Sequence, residues 1–224
     1  MKKIQLLAAA LLISGGAFAQ TTANSKPAAQ GRAAVINALP SNSQISATSR
    51  SASSNDNDSY VQQTGTGNYG NVDQLGRDNS ADLYQTGTGN DAYQRQRGGG
   101  ADGENVAHAT QIGNNNYVDQ DQDGYRNSAV VEQGTAPGLL GLSRARNDNY
   151  AVQEQDGSSN YGYIDQDSNS NFAHQQQTGT GNFSSTSQGT GGILGLGSPA
   201  SDNQWSQVVQ SGTGNISVVS QDHL

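Results

Sequence analysis

From residue 57 onward the chain alternates in short bursts. Asn68, Gly70, Val72 and Gln74 take every second position, against Tyr69, Asn71 and Asp73 between them. Period-two alternation predicts strands with one face sequestered and the other in water. Gly-rich residues such as Gly65-Thr66-Gly67 and Gly87-Thr88-Gly89 close the bursts. They supply the positive φ values that tight turns require. One strand and one turn make an eleven-residue unit, and thirteen such units follow one another with three interruptions. Position one is Asn57, Asn68, Asn79, Asn90, Asn105, Asn116, Asn127, Asn149, Asn160, Asn171, Asn182, Gln204 and Asn215. Position seven is always Gln: Gln63, Gln74, Gln85, Gln96, Gln111, Gln122, Gln133, Gln155, Gln166, Gln177, Gln188, Gln210 and Gln221. Position three is Gly, Ala or Ser everywhere except Val118, and position five is often Val, Leu or Ile. In nine units a Gly follows the Gln by two residues, among them Gly65, Gly87, Gly113, Gly179 and Gly212, which are expected in turns.

An eleven-residue unit cannot bury its inner face alone, which is the general logic of repeat folds. Two units folded back on each other make a rung, and rungs stack at roughly 4.8 Å. The expected fold is all-β, a β-solenoid of about six and a half rungs in two facing parallel sheets. Stacking sets Gln on Gln and Asn on Asn, so each side-chain amide donates to one copy and accepts from another. A buried amide is costly unless satisfied, and identical neighbours satisfy it. The Gln and Asn columns are therefore the expected core ladder of an amyloid-like stack.

The interruptions fall at 97–104, 134–148 and 189–203. The last two share Gly138-Leu-Leu-Gly-Leu142 and Gly192-Ile-Leu-Gly-Leu196. As loops they would leave one edge two rungs apart, with the first interruption on the opposite edge. Each adds eleven residues to the spacing, so a degenerate unit is the alternative, although Arg144 and Pro199 then stand where the Gln belongs. Residues 20–56 carry no period and read as a flexible leader outside the fold, with a secretion-recognition segment as the sharper alternative. Residues 1–19 read as a secretory signal peptide: Lys2 and Lys3, the apolar run Ile4–Ile13, and Ala17-Phe18-Ala19 before Gln20.

Hydrophobic residues are 32% and charged residues 13% of the chain, too few for an oily core and too few for a self-repelling polyelectrolyte. No cysteine is present, so disulfides and thiolate metal sites are ruled out. A net charge of −8 without a basic stripe makes nucleic acid a poor partner. His108 and His174 hold one outward position in the fifth and tenth units, which face opposite ways, and His223 lies beyond the repeats. No calcium loop, phosphate loop or nucleophile elbow is legible, the nearest approach being the turn at Asp121-Gln-Asp123-Gly124. No enzyme, cofactor or small-molecule substrate is expected. Outward aromatics hold position two of four consecutive units, Tyr150, Tyr161, Phe172 and Phe183, and are expected to stack Tyr150 on Phe172 and Tyr161 on Phe183. Tyr69, Tyr117 and Trp205 share that slot. Such a row adds strand propensity or serves lateral contact. Thr-Gly-Thr at 64–66, 86–88 and 178–180 leaves an ice-binding or adhesive monomeric solenoid as a competing reading.

The unit Gln85-x-Gly87-x-Gly89-Asn90-x-Ala92-x-x-x-Gln96 resembles the curlin repeat of bacterial curli subunits residue for residue, and Gln177, Gly179, Gly181, Asn182 and Gln188 repeat it with Ser184 for the alanine. The resemblance runs over about residues 57–221. Asn opens nearly every unit where that family often uses Ser, so the two halves of a rung look alike. The resemblance implies export through an outer-membrane secretion pore and polymerisation outside the cell into a functional amyloid of the biofilm matrix. It also implies a second curli-type subunit as partner, this chain being the fibre-forming subunit or, alternatively, the minor nucleator. Few charges at core-facing positions and no basic tail after Gln221 favour the former.

Overall fold

The computed structural model describes residues 57–98, 103–134, 146–189 and 202–221, and the backbone of two further strands at 35–36 and 44–50. The signal segment 1–19, both apolar-glycine runs, Arg144, Pro199 and His223 lie outside the described residues.

Every unit forms the strand its alternation predicts, and every strand pairs in parallel with the strand two units away. The first sheet contains β1 (Val35–Ile36), β3 (Asp58–Thr66), β5 (Ser80–Thr88), β7 (Val106–Asn114), β9 (Ser128–Gln133), β11 (Tyr161–Gln166), β13 (Phe183–Gln188) and β15 (Ile216–Gln221), in that order. The second contains β2 (Gln44–Arg50), β4 (Tyr69–Leu75), β6 (Asp91–Arg97), β8 (Tyr117–Tyr125), β10 (Tyr150–Ser158), β12 (Phe172–Thr180) and β14 (Trp205–Thr213). The repeat thus supplies seven strands to one sheet and six to the other, and the chain passes from sheet to sheet at every corner. This is the solenoid of six and a half rungs that the period predicts.

Register is kept by position within the unit. Gln63 pairs with Gln85, Gln85 with Gln111, and Gln155 with Gln122 and Gln177, whatever the number of residues between them. Register is well specified because a slip of one residue would turn every buried side chain outward. Burial follows the same parity. Val61, Leu83, Ala109, Val131 and Ile164 at position five of the first sheet are fully buried, as are Ala81, Ala92, Ala107, Ala129, Ala151 and Ala173 at position three. Small side chains at position three let the sheets approach. A Cβ on Gly70 would already stand 2.8 Å from Leu83 Cδ2.

The described strands on either side of the two long interruptions show where the chain resumes. The chain leaves the first sheet after Gln133 and joins the second at Tyr150, where β10 pairs directly with β8. It does the same between Gln188 and Trp205, with β14 directly on β12. Both excursions leave from the same edge two rungs apart, and the one at 97–104 leaves from the opposite edge. An inserted unit would have reversed the sheet that each following strand enters. Before residue 57, β2 pairs along seven residues with β4, and β1 touches β3 at two. Sheet pairing therefore begins earlier than the Asn/Gln repeat does.

Candidate assembly core

The space between the sheets is lined by carboxamides, and their hydrogen bonds run along the solenoid. In the first sheet Gln63 Nε2 donates to Gln85 Oε1 at 2.7 Å, Gln85 to Gln111 at 2.8 Å, and Gln111 to Gln133 at 3.1 Å. Gln133, Gln166, Gln188 and Gln221 continue the column at 2.9, 2.9 and 2.7 Å. In the second sheet Gln74, Gln96, Gln122, Gln155, Gln177 and Gln210 form a matching column with every step at 2.9 Å. All donate in one direction, toward the C-terminal rungs.

The second hydrogen of each amide does something the repeat alone does not reveal. Gln85 Nε2 also donates to Tyr69 O at 2.9 Å, Gln96 to Ser80 O at 2.9 Å, Gln177 to Tyr161 O at 2.9 Å and Gln221 to Trp205 O at 2.9 Å. In each case the acceptor is the position-two carbonyl of the preceding unit, across the core in the facing sheet. One hydrogen therefore binds rung to rung and the other binds sheet to sheet. Gln has the reach for both, whereas Asn and Ser are too short, which gives a physical reason for its invariance at position seven.

The Asn column joins like amides as well, with Nδ2 of Asn79, Asn90, Asn160, Asn182 and Asn215 donating to the Oδ1 one rung before at 2.9–3.2 Å, and it adds backbone bonds. Its Oδ1 accepts from the backbone N–H of the Asn one rung on: Asn90 to Asn68 at 3.0 Å, Asn116 to Asn90 at 3.0 Å, and Asn127 to Asn105 at 3.0 Å. The same contact joins Asn79 to Asn57, Asn105 to Asn79, Asn149 to Asn116, Asn160 to Asn127, Asn171 to Asn149, Asn182 to Asn160 and Asn215 to Asn182. Nδ2 donates to a turn carbonyl of the next rung, as from Asn68 to Gly87 O at 3.2 Å, Asn90 to Gly113 O at 2.9 Å and Asn182 to Gly212 O at 3.1 Å. Each Asn locks a corner to the corner beyond it. Asn116 makes the same bond to Arg146 O at 2.9 Å, whereas Asn149 Nδ2, facing the corner at Ser168, has no partner.

Those corner glycines are compulsory. Gly65, Gly87, Gly113 and Gly179 have φ between +111 and +130 where Gly212 is included, and a Cβ on Gly65, Gly87 or Gly113 would lie 1.8 Å from the carbonyl oxygen stacked on it. Stacking and the absence of a side chain are the same requirement here. Gly212, in the last corner, has no such neighbour.

Two columns escaped the sequence reading. Position five of the second sheet runs Val72, Gln94, Gln120, Gln153, Gln175 and Val208, its glutamines bonded in series at 2.9, 3.0 and 3.1 Å, while the first sheet carries aliphatic residues there except at Thr186. The expectation that the halves of a rung are alike is thus corrected: one wall is mainly aliphatic at this level and the other mainly carboxamide. The signal was present as a 22-residue alternation inside the eleven-residue period. This column begins over Val72, which leaves Gln94 Oε1 without a donor. The other column is at the corners, where Asn114 N–H donates to Asn147 Oδ1 at 2.9 Å, Asn147 to Asn169 at 3.0 Å, and Asn169 to Asp202 at 2.8 Å. All four lie two residues before a position-one residue, and Asn147 and Asp202 are where the long excursions return to the stack.

Outside, aromatic rings line the second sheet through all six rungs: Tyr69, Tyr93, Tyr117, Tyr150, Phe172 and Trp205, with successive centroids 5.3, 5.8, 4.4, 5.4 and 6.1 Å apart. Tyr161 stacks on Phe183 at 5.3 Å across the molecule. Beside the column, Arg95 forms a two-pronged pair with Asp121. Burial raises the Asp119 carboxyl above the ordinary aspartate range. Nearby Arg95 opposes the shift, and Asp121 and Glu154 add to it. His108 lies on the first sheet beside Thr110 and His174 on the second beside Glu154. Among the described residues no group of three or more His, Asp or Glu converges. The Thr-Gly-Thr segments divide between the two edges, so they do not rank on one face.

Parallel in-register rungs, joined by carboxamide columns and glycine corners, define an amyloid-like repeat β-solenoid. The family model described as the curlin associated repeat matches residues 54–87. The matched residues span the first rung and most of β5, and the later units keep the same register. No curated protein matches the chain.

Proposed function

We propose that this chain is the structural subunit of an extracellular, curli-type amyloid fibre, growing by templated addition of β-strands and serving biofilm matrix and adhesion. The observation that carries the reading is the continuity of the position-seven Gln columns, which pass through all thirteen repeat strands and reach the open edges at β14 and β15. An edge that presents unpaired backbone groups in the register of an identical chain is one that most proteins suppress. Here the columns add a second template, since an incoming Gln finds an acceptor above and a facing carbonyl across the core. The N-terminal signal, export through an outer-membrane pore, and a second curli-type subunit that seeds growth belong to the same reading. The major rather than the nucleating role is supported by inner faces that carry carboxamides and aliphatics, with ionisable residues at the corners and outside.

The test is kinetic. The chain, held in denaturant and diluted into buffer, gives a lag followed by thioflavin T growth, and sonicated fibres abolish the lag. A chain that stays monomeric and β-rich for days, seeded or not, would overturn the proposal in favour of a soluble binding solenoid.

A further inference from the structure

The thirteen repeat strands leave the two sheets unequal, seven against six. At the far end β14 and β15 have no further neighbour in their sheets. Their outer residues are correspondingly bare: Trp205 is 60%, Val209 61%, Ile216 78% and Val218 69% exposed, against 39% for Tyr150 and 37% for Phe183, which lie one or more rungs inside. If a second copy added its β3 to the next vacant place, that strand would fall on β14. First-sheet strands would then continue second-sheet strands, and the aliphatic and carboxamide walls would exchange at every joint.

The strand β2 removes that mismatch. It pairs in parallel with β4 over seven residues and stands one place before the repeat in the second sheet. Counting β2 to β15, each sheet has seven strands and the copy is a whole number of rungs. We propose that β2 is a splice strand: in the fibre it lies between β14 of the preceding copy and β4 of its own, while β3 covers β15. This rests on the fibre reading above and adds to it the joint, its register and the segment that makes it. Only the two-residue pairing of β1 with Gln62 and Gln63 has to yield to β15.

The register follows from the columns already present. Thr48 shares a column with Asp73, Arg95, Asp121, Glu154, Gln176 and Val209, so Val209 of one copy meets Thr48 of the next. In the first sheet Tyr60 shares a column with Ser185 and Val218, and the mainly aliphatic Val61 column passes through Ile164 and Thr186 to Val219. The joint then sets Val218 against Tyr60, Val219 against Val61 and Gln221 against Gln63, which prolongs the aliphatic and the Gln column together.

The chain has no cysteine of its own, so paired single-cysteine variants read the joint directly. Neighbouring strands lie about 4.8 Å apart, inside the range of roughly 4.4–6.8 Å that a disulfide spans. Fibres grown from an equal mixture of Thr48→Cys and Val209→Cys chains, then oxidised and dissolved in denaturant, should yield the mixed disulfide dimer, as should Tyr60→Cys with Val218→Cys. A mixture of Gln62→Cys and Val209→Cys should not. In chains lacking residues 44–50 the Val209 partner should switch from position 48 to position 62. Fibres in which the Gln62/Val209 pair links with the full chain, or in which none of these pairs links, overturn the splice while leaving the fibre intact. Chains that never form fibres overturn the underlying reading itself.

Discussion

A single ladder Gln holds three partners in place. Gln85 accepts from Gln63, donates to Gln111 and ties across the core to Tyr69 O. Leucine has the right size and is apolar, yet it would deprive Gln63 Nε2 of its ladder acceptor, leave a buried acceptor on Gln111 unsatisfied and remove the cross-core bond to the Tyr69 carbonyl. Each such orphan costs about 1–3 kcal/mol. Gln85→Leu combined with Gln177→Leu should therefore lengthen the lag of fibre formation at least tenfold, measured by thioflavin T under constant conditions. An unchanged lag would mean that the amide columns do not drive assembly. Both residues were legible from spacing alone, since thirteen glutamines in step leave little else to infer. Their cross-sheet hydrogen bond was not legible, because it joins position seven of one unit to a main-chain carbonyl of the unit before, and main-chain acceptors have no sequence signature. The Gln94–Gln175 column was legible only by comparing alternate units rather than consecutive ones.

Among the structural elements, corners are less forgiving than strands. Gly87 and Gly181 both have positive φ, +125 and +66, but a Cβ on Gly87 would meet Gly113 O at 1.8 Å while one on Gly181 meets nothing within 4 Å. Gly181→Ala should cost only the left-handed backbone term, about 1–2 kcal/mol. Gly87→Ala should prevent its two rungs from stacking and reduce fibre yield severely; equal yields would show that the corners do not stack as described. The excursions make the opposite prediction. Gly134 leaves the stack and Arg146-Asn147-Asp148 re-enter it, so removing residues 135–145 leaves a four-residue corner like Thr64–Gly67. That deletion should leave the lag and growth rate within about twofold, because a shorter loop alters closure entropy only slightly. Abolished assembly would assign those residues a place in a rung. Strand parity in the sequence assigns the two long excursions to one edge. It did not show that they return through an Asn column, because that column has four members scattered through unlike contexts.

At the scale of the molecule, charge opposes the stack. The chain carries −8, and parallel in-register pairing brings like charges level, as with Asp121 and Glu154, and Asp123 and Asp156. Burial raises the carboxyl of Asp119, and that of Asp91, above the usual range. A carboxyl raised in the folded state is penalised once ionised, so stability falls as pH rises through its folded pKa and recovers as pH falls back toward the ordinary aspartate value. Assembly should therefore quicken from neutral pH down into the carboxylate range. Asp119→Asn should shorten the lag at pH 7 and lose that advantage near pH 3, where the native side chain is protonated as well. The reverse ordering, with the variant slower at pH 7, would mean that the Arg95 contact outweighs the burial cost.

The central claim is that identical chains extend the two parallel sheets of this solenoid into one fibre. X-ray diffraction from aligned fibres tests it most directly. The solenoid predicts a sharp meridional reflection near 4.8 Å from strand spacing and an equatorial one near 10 Å from the facing sheets. Fibres without the 4.8 Å meridional arc, or with that spacing on the equator so that strands run along the axis, would contradict it.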